Sequence, residues 1–127
     1  PFSLRRIKNN FKEIEVETIS FCNRKCSYCP NVTVDRFDIN SSVLMKDELL
    51  DEIFIQLKSI NFKGIFSPHM YGEPLLDPRI VNIIGNISKI GAIPKIVTNG
   101  DYLTVDLLDK LINAGLKILY ISKHSHI

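Results

Sequence analysis

Gly64-Ile-Phe-Ser-Pro-His-Met70, Tyr71-Gly-Glu-Pro74, Asp77-Pro-Arg-Ile-Val-Asn-Ile-Ile-Gly-Asn-Ile-Ser-Lys-Ile90 and Ile93-Pro-Lys-Ile-Val97 decide the fold when read as one run. The first piece is a short apolar run of strand length, and the second breaks it with glycine and proline. In the third, Ile80, Val81, Ile84, Ile87 and Ile90 recur at three- and four-residue spacing, the stripe of a helix packed on one face. Asp77 is placed to cap that helix with Pro78 at its first position, and Gly91 ends it. The fourth piece is a second apolar run. Two strands joined by a helical crossover run parallel, because a hairpin turn cannot return the chain to its starting edge.

The same alternation extends outward in both directions. Residues Glu13 to Ser20 set Ile14, Val16 and Thr18 against Glu13, Glu15 and Glu17, the period of a strand. From Asp47 to Ile60, Leu49, Leu50, Ile53, Phe54, Leu57 and Ile60 keep helical spacing, with Asp47 and Glu48 in the first turn where the helix dipole favours anions. After Thr98-Asn99-Gly100, Thr104 caps a helix carrying Leu107, Leu108, Leu111 and Ile112 that stops at Gly115, and Leu116 to Ser122 reads as a last strand. The expected fold class is therefore α/β, with a parallel sheet curling into a partial (β/α) barrel. In such folds the loops leaving the C-terminal strand ends share one rim, where ligands bind. Here those loops are the segment after Ser20, Tyr71 to Pro74, Thr98 to Gly100 and the residues after Ser122.

The first of these loops holds all three cysteines of the chain, Cys22, Cys26 and Cys29. Thiolates so closely spaced suit zinc or an iron–sulfur cluster. Structural zinc and ferredoxin-type clusters take four protein ligands, so the loop either recruits a distant histidine or leaves one metal position open. His69, His124 and His126 are the candidates to complete a zinc site, which would make the chain a non-enzymatic binding or scaffold domain. An odd number of clustered cysteines argues against disulfides and for a reducing, cytoplasmic compartment.

Composition adds bounds. The 127 residues are 45% hydrophobic and 24% charged, the make-up of one globular domain, and a net charge of +2 gives no footing for nucleic acid. No apolar run approaches the roughly 18 residues of a membrane span. Residues 1–12, where Arg5, Arg6, Lys8 and Lys12 interleave with Phe2, Leu4, Ile7 and Phe11, read as an N-terminal extension with a solvated face. The chain opens on Pro1 rather than methionine and stops after the fourth expected strand, so it reads as part of a longer protein.

Cys22-x3-Cys26-x2-Cys29 after a first strand, with Tyr28 just before the last cysteine, resembles the radical S-adenosylmethionine superfamily. Gly72-Glu73-Pro74-Leu75-Leu76-Asp77-Pro78 is similar to that family's Gly-Gly-Glu-Pro segment, with Tyr71 in place of the first glycine. The resemblance covers residues 14 to 123. It implies the first four strands and three helices of a six-repeat barrel, with residues 1–127 forming the N-terminal part of the core domain. It also implies a [4Fe–4S] cluster on Cys22, Cys26 and Cys29 whose fourth iron is chelated by the amino and carboxylate groups of S-adenosyl-L-methionine. Reductive cleavage would then give a 5′-deoxyadenosyl radical for hydrogen abstraction. The Tyr28 segment would lie near the adenine, and Tyr71, Gly72, Glu73 and Pro74 would hold the methionine ammonium. Thr98, Asn99 and Ser122 would contact carboxylate or ribose. On this reading Gly72 lets the backbone approach the cofactor, so a side chain there would block the ligand and spare the cluster. Implied partners are an electron donor such as flavodoxin or ferredoxin and a small-molecule, peptide or protein substrate that the residues do not name.

Overall fold

A computed structural model describes residues 11–24 and 43–122. Four strands form one sheet in the order β1 (Glu13–Glu15), β2 (Ile65–Ser67), β3 (Ile93–Thr98) and β4 (Ile118–Ile121), each pair parallel. Helices α1 (Asp47–Ser59), α2 (Ile80–Lys89) and α3 (Val105–Ala114) fill the three crossovers. This is the expected partial α/β barrel, with chain order and spatial order the same.

The core lies between the sheet and the helices. Leu50, Phe54 and Leu57 of α1, Phe66 of β2, Ile80, Ile83, Ile84 and Ile87 of α2, Ile96 of β3 and Leu111 of α3 form one buried cluster, with Ile14 and Leu119 packed against it. Phe54 stacks on Phe66 with ring centroids 5.4 Å apart. Burying each of these side chains contributes about 1.5–3 kcal/mol, and α2 supplies four of them, which makes it the central helix of the layer. Ile83 joins the stripe because a helix presents an apolar arc wider than the single row of Ile80, Ile84 and Ile87.

Because Ile14, Phe66, Ile96 and Leu119 face the helices, strand alternation sends their neighbours to the opposite, concave face. Glu13 and Glu15 of β1, Ile65 and Ser67 of β2, Ile93, Lys95 and Val97 of β3, and Ile118 and Tyr120 of β4 share that face, with Glu13 in register with Ile65 and Ile93, Glu15 with Ser67, and Lys95 with Ile118.

Local chemistry accounts for the helix ends. The Thr104 hydroxyl accepts from Leu107 N at 3.1 Å, and Gly115 closes α3 at φ 115°, a left-handed conformation that glycine adopts without strain. Strands β2 and β4 are shorter than the runs Gly64 to Met70 and Leu116 to Ser122, and two further boundaries differ from the sequence reading. The β1 ladder ends at Glu15, followed by one more bond from Val16 N to Ser67 O at 2.9 Å. The chain then leaves the sheet to pair antiparallel with residues 43–45 through an Ile19–Leu44 bridge. Helix α2 begins at Ile80 rather than at Pro78. Pro74–Leu76 form a 3-10 turn first, and Asp77 closes that turn while its Oδ1 accepts from Arg79 N at 2.9 Å.

Candidate functional site

The C-terminal strand ends meet at one rim, and Glu73 is its hub. Its side chain is 3% exposed, though it sits in the loop after β2. Oε1 accepts from Leu75 N at 3.2 Å and from the Thr98 hydroxyl at 2.5 Å, while Oε2 accepts from Asn99 N at 3.0 Å. Three donors surround the buried carboxyl group, and each hydrogen bond replaces hydration lost on burial. Glu73 N in turn donates to Phe21 O at 2.8 Å, at the doorstep of Cys22. One residue therefore binds the loops after β1, β2 and β3.

The loop after β3 completes the rim. Asn99 donates through Nδ2 to Asn23 Oδ1 at 2.8 Å, and its Oδ1 accepts from Asp101 N at 2.9 Å. Asp101 receives Asn23 Nδ2 at 2.8 Å and the forked guanidinium of Arg24, with Nε at 2.6 Å and the second donor on Oδ1. Bidentate pairing of this kind fixes orientation as well as position. Ser122 N donates to Thr98 O at 2.8 Å, which brings the end of β4 to the same place. Gly72, Glu73, Thr98, Asn99 and Ser122, expected at one rim, lie there together with Cys22, whose thiol is half-buried. Tyr71 is exposed at the edge, and Pro74 is buried beneath it. Tyr28, Cys26, Cys29, His124, His126 and residues 1–10 of the expected extension lie outside the described residues.

Gly72 has a packing reason in addition to the expected one. A β-carbon there would sit 1.9 Å from the carbonyl oxygen of Ile19 and 3.2 Å from that of Phe21. Its missing side chain lets the β2 loop rest on the backbone that leads into Cys22, rather than solely making room for a ligand. Glu17 reinforces this contact, its Oε1 accepting from Tyr71 N and Gly72 N, both at 3.0 Å.

Arg79, which carries no motif in the sequence, fastens the base of the cysteine loop. It donates to Met45 O at 2.6 Å, Asp47 Oδ1 at 2.7 Å, Thr18 O at 3.3 Å and both oxygens of Asp77, the shortest at 2.8 Å. Hydrogen bonding to Asp77 and then Asp47 holds its pKa above the ordinary guanidinium value. Between Thr18 and Met45 runs a bond from Met45 N to Thr18 O at 2.9 Å, so both ends of the loop are pinned to one side chain. The only hint in the sequence was an arginine two places after a capping aspartate.

His69 lies on the concave side below the rim. Burial lowers its pKa below 6.5, against the pull of Glu15, Glu73 and Glu17 and in concert with Lys95, so the imidazole is neutral at pH 7. Among the described residues no group of three or more His, Cys, Asp or Glu side chains is arranged to hold a metal ion.

A profile of the radical SAM superfamily matches residues 16–126. The chain belongs to the radical SAM superfamily. It is 38% identical over 117 residues to the S-adenosyl-L-methionine-dependent 2-deoxy-scyllo-inosamine dehydrogenase of Niallia circulans, covering 91% of this chain and 46% of that protein. It is 32% identical over 125 residues to the GTP 3',8-cyclase of Cyanothece sp. (strain PCC 7425 / ATCC 29141), covering 92% of this chain and 36% of the relative. The crystal structure of BtrN in complex with AdoMet and 2-DOIA superposes with a TM-score of 0.84 at 36% identity, over 94% of this chain and 48% of that one. The chain thus spans less than half the length of these relatives. Radical SAM proteins use a [4Fe–4S] cluster and S-adenosylmethionine. The described part of the donor set suits both: the Cys22 thiol stands at the rim, beside the backbone edge at 71–72 whose carbonyls are the kind of acceptor an ammonium takes.

Proposed function

We propose that the protein cleaves S-adenosylmethionine reductively at a [4Fe–4S] cluster and uses the 5′-deoxyadenosyl radical to abstract hydrogen from a small polar substrate. Cys22, Cys26 and Cys29 would hold the cluster, and the cofactors supply the electron and the radical. The protein's part is placement. The backbone carbonyls of Tyr71 to Pro74 would receive the methionine ammonium, with Glu73 framing that edge rather than reaching out of it, since three of its acceptor positions are filled. Thr98, Asn99 and Ser122 would flank carboxylate or ribose, and Tyr28 the adenine. A small electron-carrying protein such as flavodoxin or ferredoxin would supply the electron. Similarity to a dehydrogenase supports an oxidative outcome on a polar small molecule.

The observation that carries this reading is the Glu73 network, which joins the cysteine loop to the β2 and β3 loops. A scaffold built around zinc has no need of it. The test is anaerobic reconstitution of the full-length protein, reduction with dithionite and chromatography for 5′-deoxyadenosine. Slow release is expected, together with an electron paramagnetic resonance spectrum that changes when S-adenosylmethionine is added. Stoichiometric zinc without iron, or unchanged spectra at saturating S-adenosylmethionine, would overturn it.

A further inference from the structure

The concave face of the sheet carries charge that the rim does not use. Glu13 is neutralised by Lys95, whose Nζ lies 2.8 Å from its Oε1. Glu17 is occupied by the amides of Tyr71 and Gly72. His69 is neutral at pH 7 and Glu73 is enclosed by donors. Glu15 remains, an exposed carboxylate with no donor among the described residues, and its register partner on β2 is Ser67.

Ser67 gives a second, independent observation. The residue is 1% exposed, yet its hydroxyl has no hydrogen-bond partner among the described residues. Phe66 next to it packs on Phe54 in the core, so Ser67 points to the concave side, beside Glu15. A hydroxyl hidden from water without a partner costs stability, and a ligand group that pairs with it recovers that cost. Val97 and Tyr120, register partners on β3 and β4, offer an apolar surface on the same face.

We infer that Glu15 and Ser67 form a substrate subsite for a small polar molecule bearing a protonated amine, with the ammonium on Glu15 and a neighbouring polar group on Ser67. The C–H skeleton would lie over Val97 and Tyr120. This rests on the proposed function, since it names the class of substrate for the same barrel. A hydroxyl in place of the amine forfeits the charge, and a charge-assisted contact changes affinity by about ten- to a hundredfold.

The test is calorimetry on the full-length, cluster-loaded, unreduced enzyme with S-adenosylmethionine present. The probes are 2-deoxy-scyllo-inosamine and the cyclitol carrying a hydroxyl in place of its amine. Wild type should bind the amine at least about tenfold more tightly at pH 7, and Glu15→Gln should erase the preference. Ser67→Ala should weaken the amine several-fold while unfolding at no lower a temperature than wild type, because the hydroxyl it removes has no hydrogen-bond partner among the described residues. Equal binding of the two probes, binding of neither, or a preference retained in Glu15→Gln would overturn the inference. Release of 5′-deoxyadenosine by the wild type is read separately. Its presence without an amine preference sinks this subsite and leaves the proposed function standing, and its absence sinks the proposed function itself.

Discussion

At Gly72 the protein has no space for a β-carbon, and the atom in the way belongs to Ile19, in the approach to the cysteine loop. Valine at this position must push that backbone aside, and Cys22 with it. We predict that Gly72→Val lowers iron per chain and 5′-deoxyadenosine together, measured by iron assay and chromatography after anaerobic reconstitution. Full iron with loss of turnover would restore the simpler view that glycine only makes room for the cofactor. The sequence announced a glycine at a turn followed by Glu-Pro, but nothing local could reveal its partner, because the contact is between segments far apart in the chain. Glu73 is similar. Its place in the motif was legible, whereas its three donors come from its own turn and from β3, and only folding brings them together.

Among elements, the periodicity of apolar residues was enough to find every helix and strand described, since burial on one face leaves a repeat that composition cannot hide. Starts and stops were less legible where side chains override the pattern. Asp77, expected as a cap for α2, accepts from the Arg79 amide just before that helix and also holds the Arg79 guanidinium, which ties α2 to α1 and to both ends of the cysteine loop. Arg79→Met would leave Asp77, 1% exposed, without its countercharge, and breaking a buried pair in this way costs about 3–5 kcal/mol. We predict a lower unfolding midpoint in urea and faster hydrogen exchange at the amides of Ser20 and Met45, which bond across the loop base. Arg79→Lys should recover only part of this, because one ammonium cannot span carbonyls and carboxylates that a planar fork reaches together. Unchanged exchange at those two amides in Arg79→Met would mean the loop base is held by its backbone bonds alone.

For the whole molecule, parallel order and the shared rim were legible because alternation of strands and helices leaves few topologies. The polar concave face was half visible, as the Glu13, Glu15, Glu17 row. Its pairing with Lys95 and the burial of His69 were not, since they depend on which strands lie side by side. His69 also sets a pH response for the fold. Its folded pKa is lowered, so below 6.5 the unfolded chain binds a proton that the native protein refuses. Its contribution to stability is complete above pH 6.5 and is lost as pH falls toward the folded value. We predict that wild type loses more stability than His69→Gln between pH 7.5 and pH 5.5, measured by urea unfolding. Equal losses would place the acid sensitivity elsewhere.

The clasp at the foot of the cysteine loop also bears on how such a protein can diversify. With Ile19 bridged to Leu44 and Arg79 gripping Thr18 and Met45, the ends of the intervening stretch are a fixed distance apart whatever lies between them. Closing a longer ring costs only about 0.6 kcal/mol for each doubling of its contour. Lineages can therefore lengthen, shorten or exchange that stretch around its cysteines while the sheet and helices beneath are inherited unaltered.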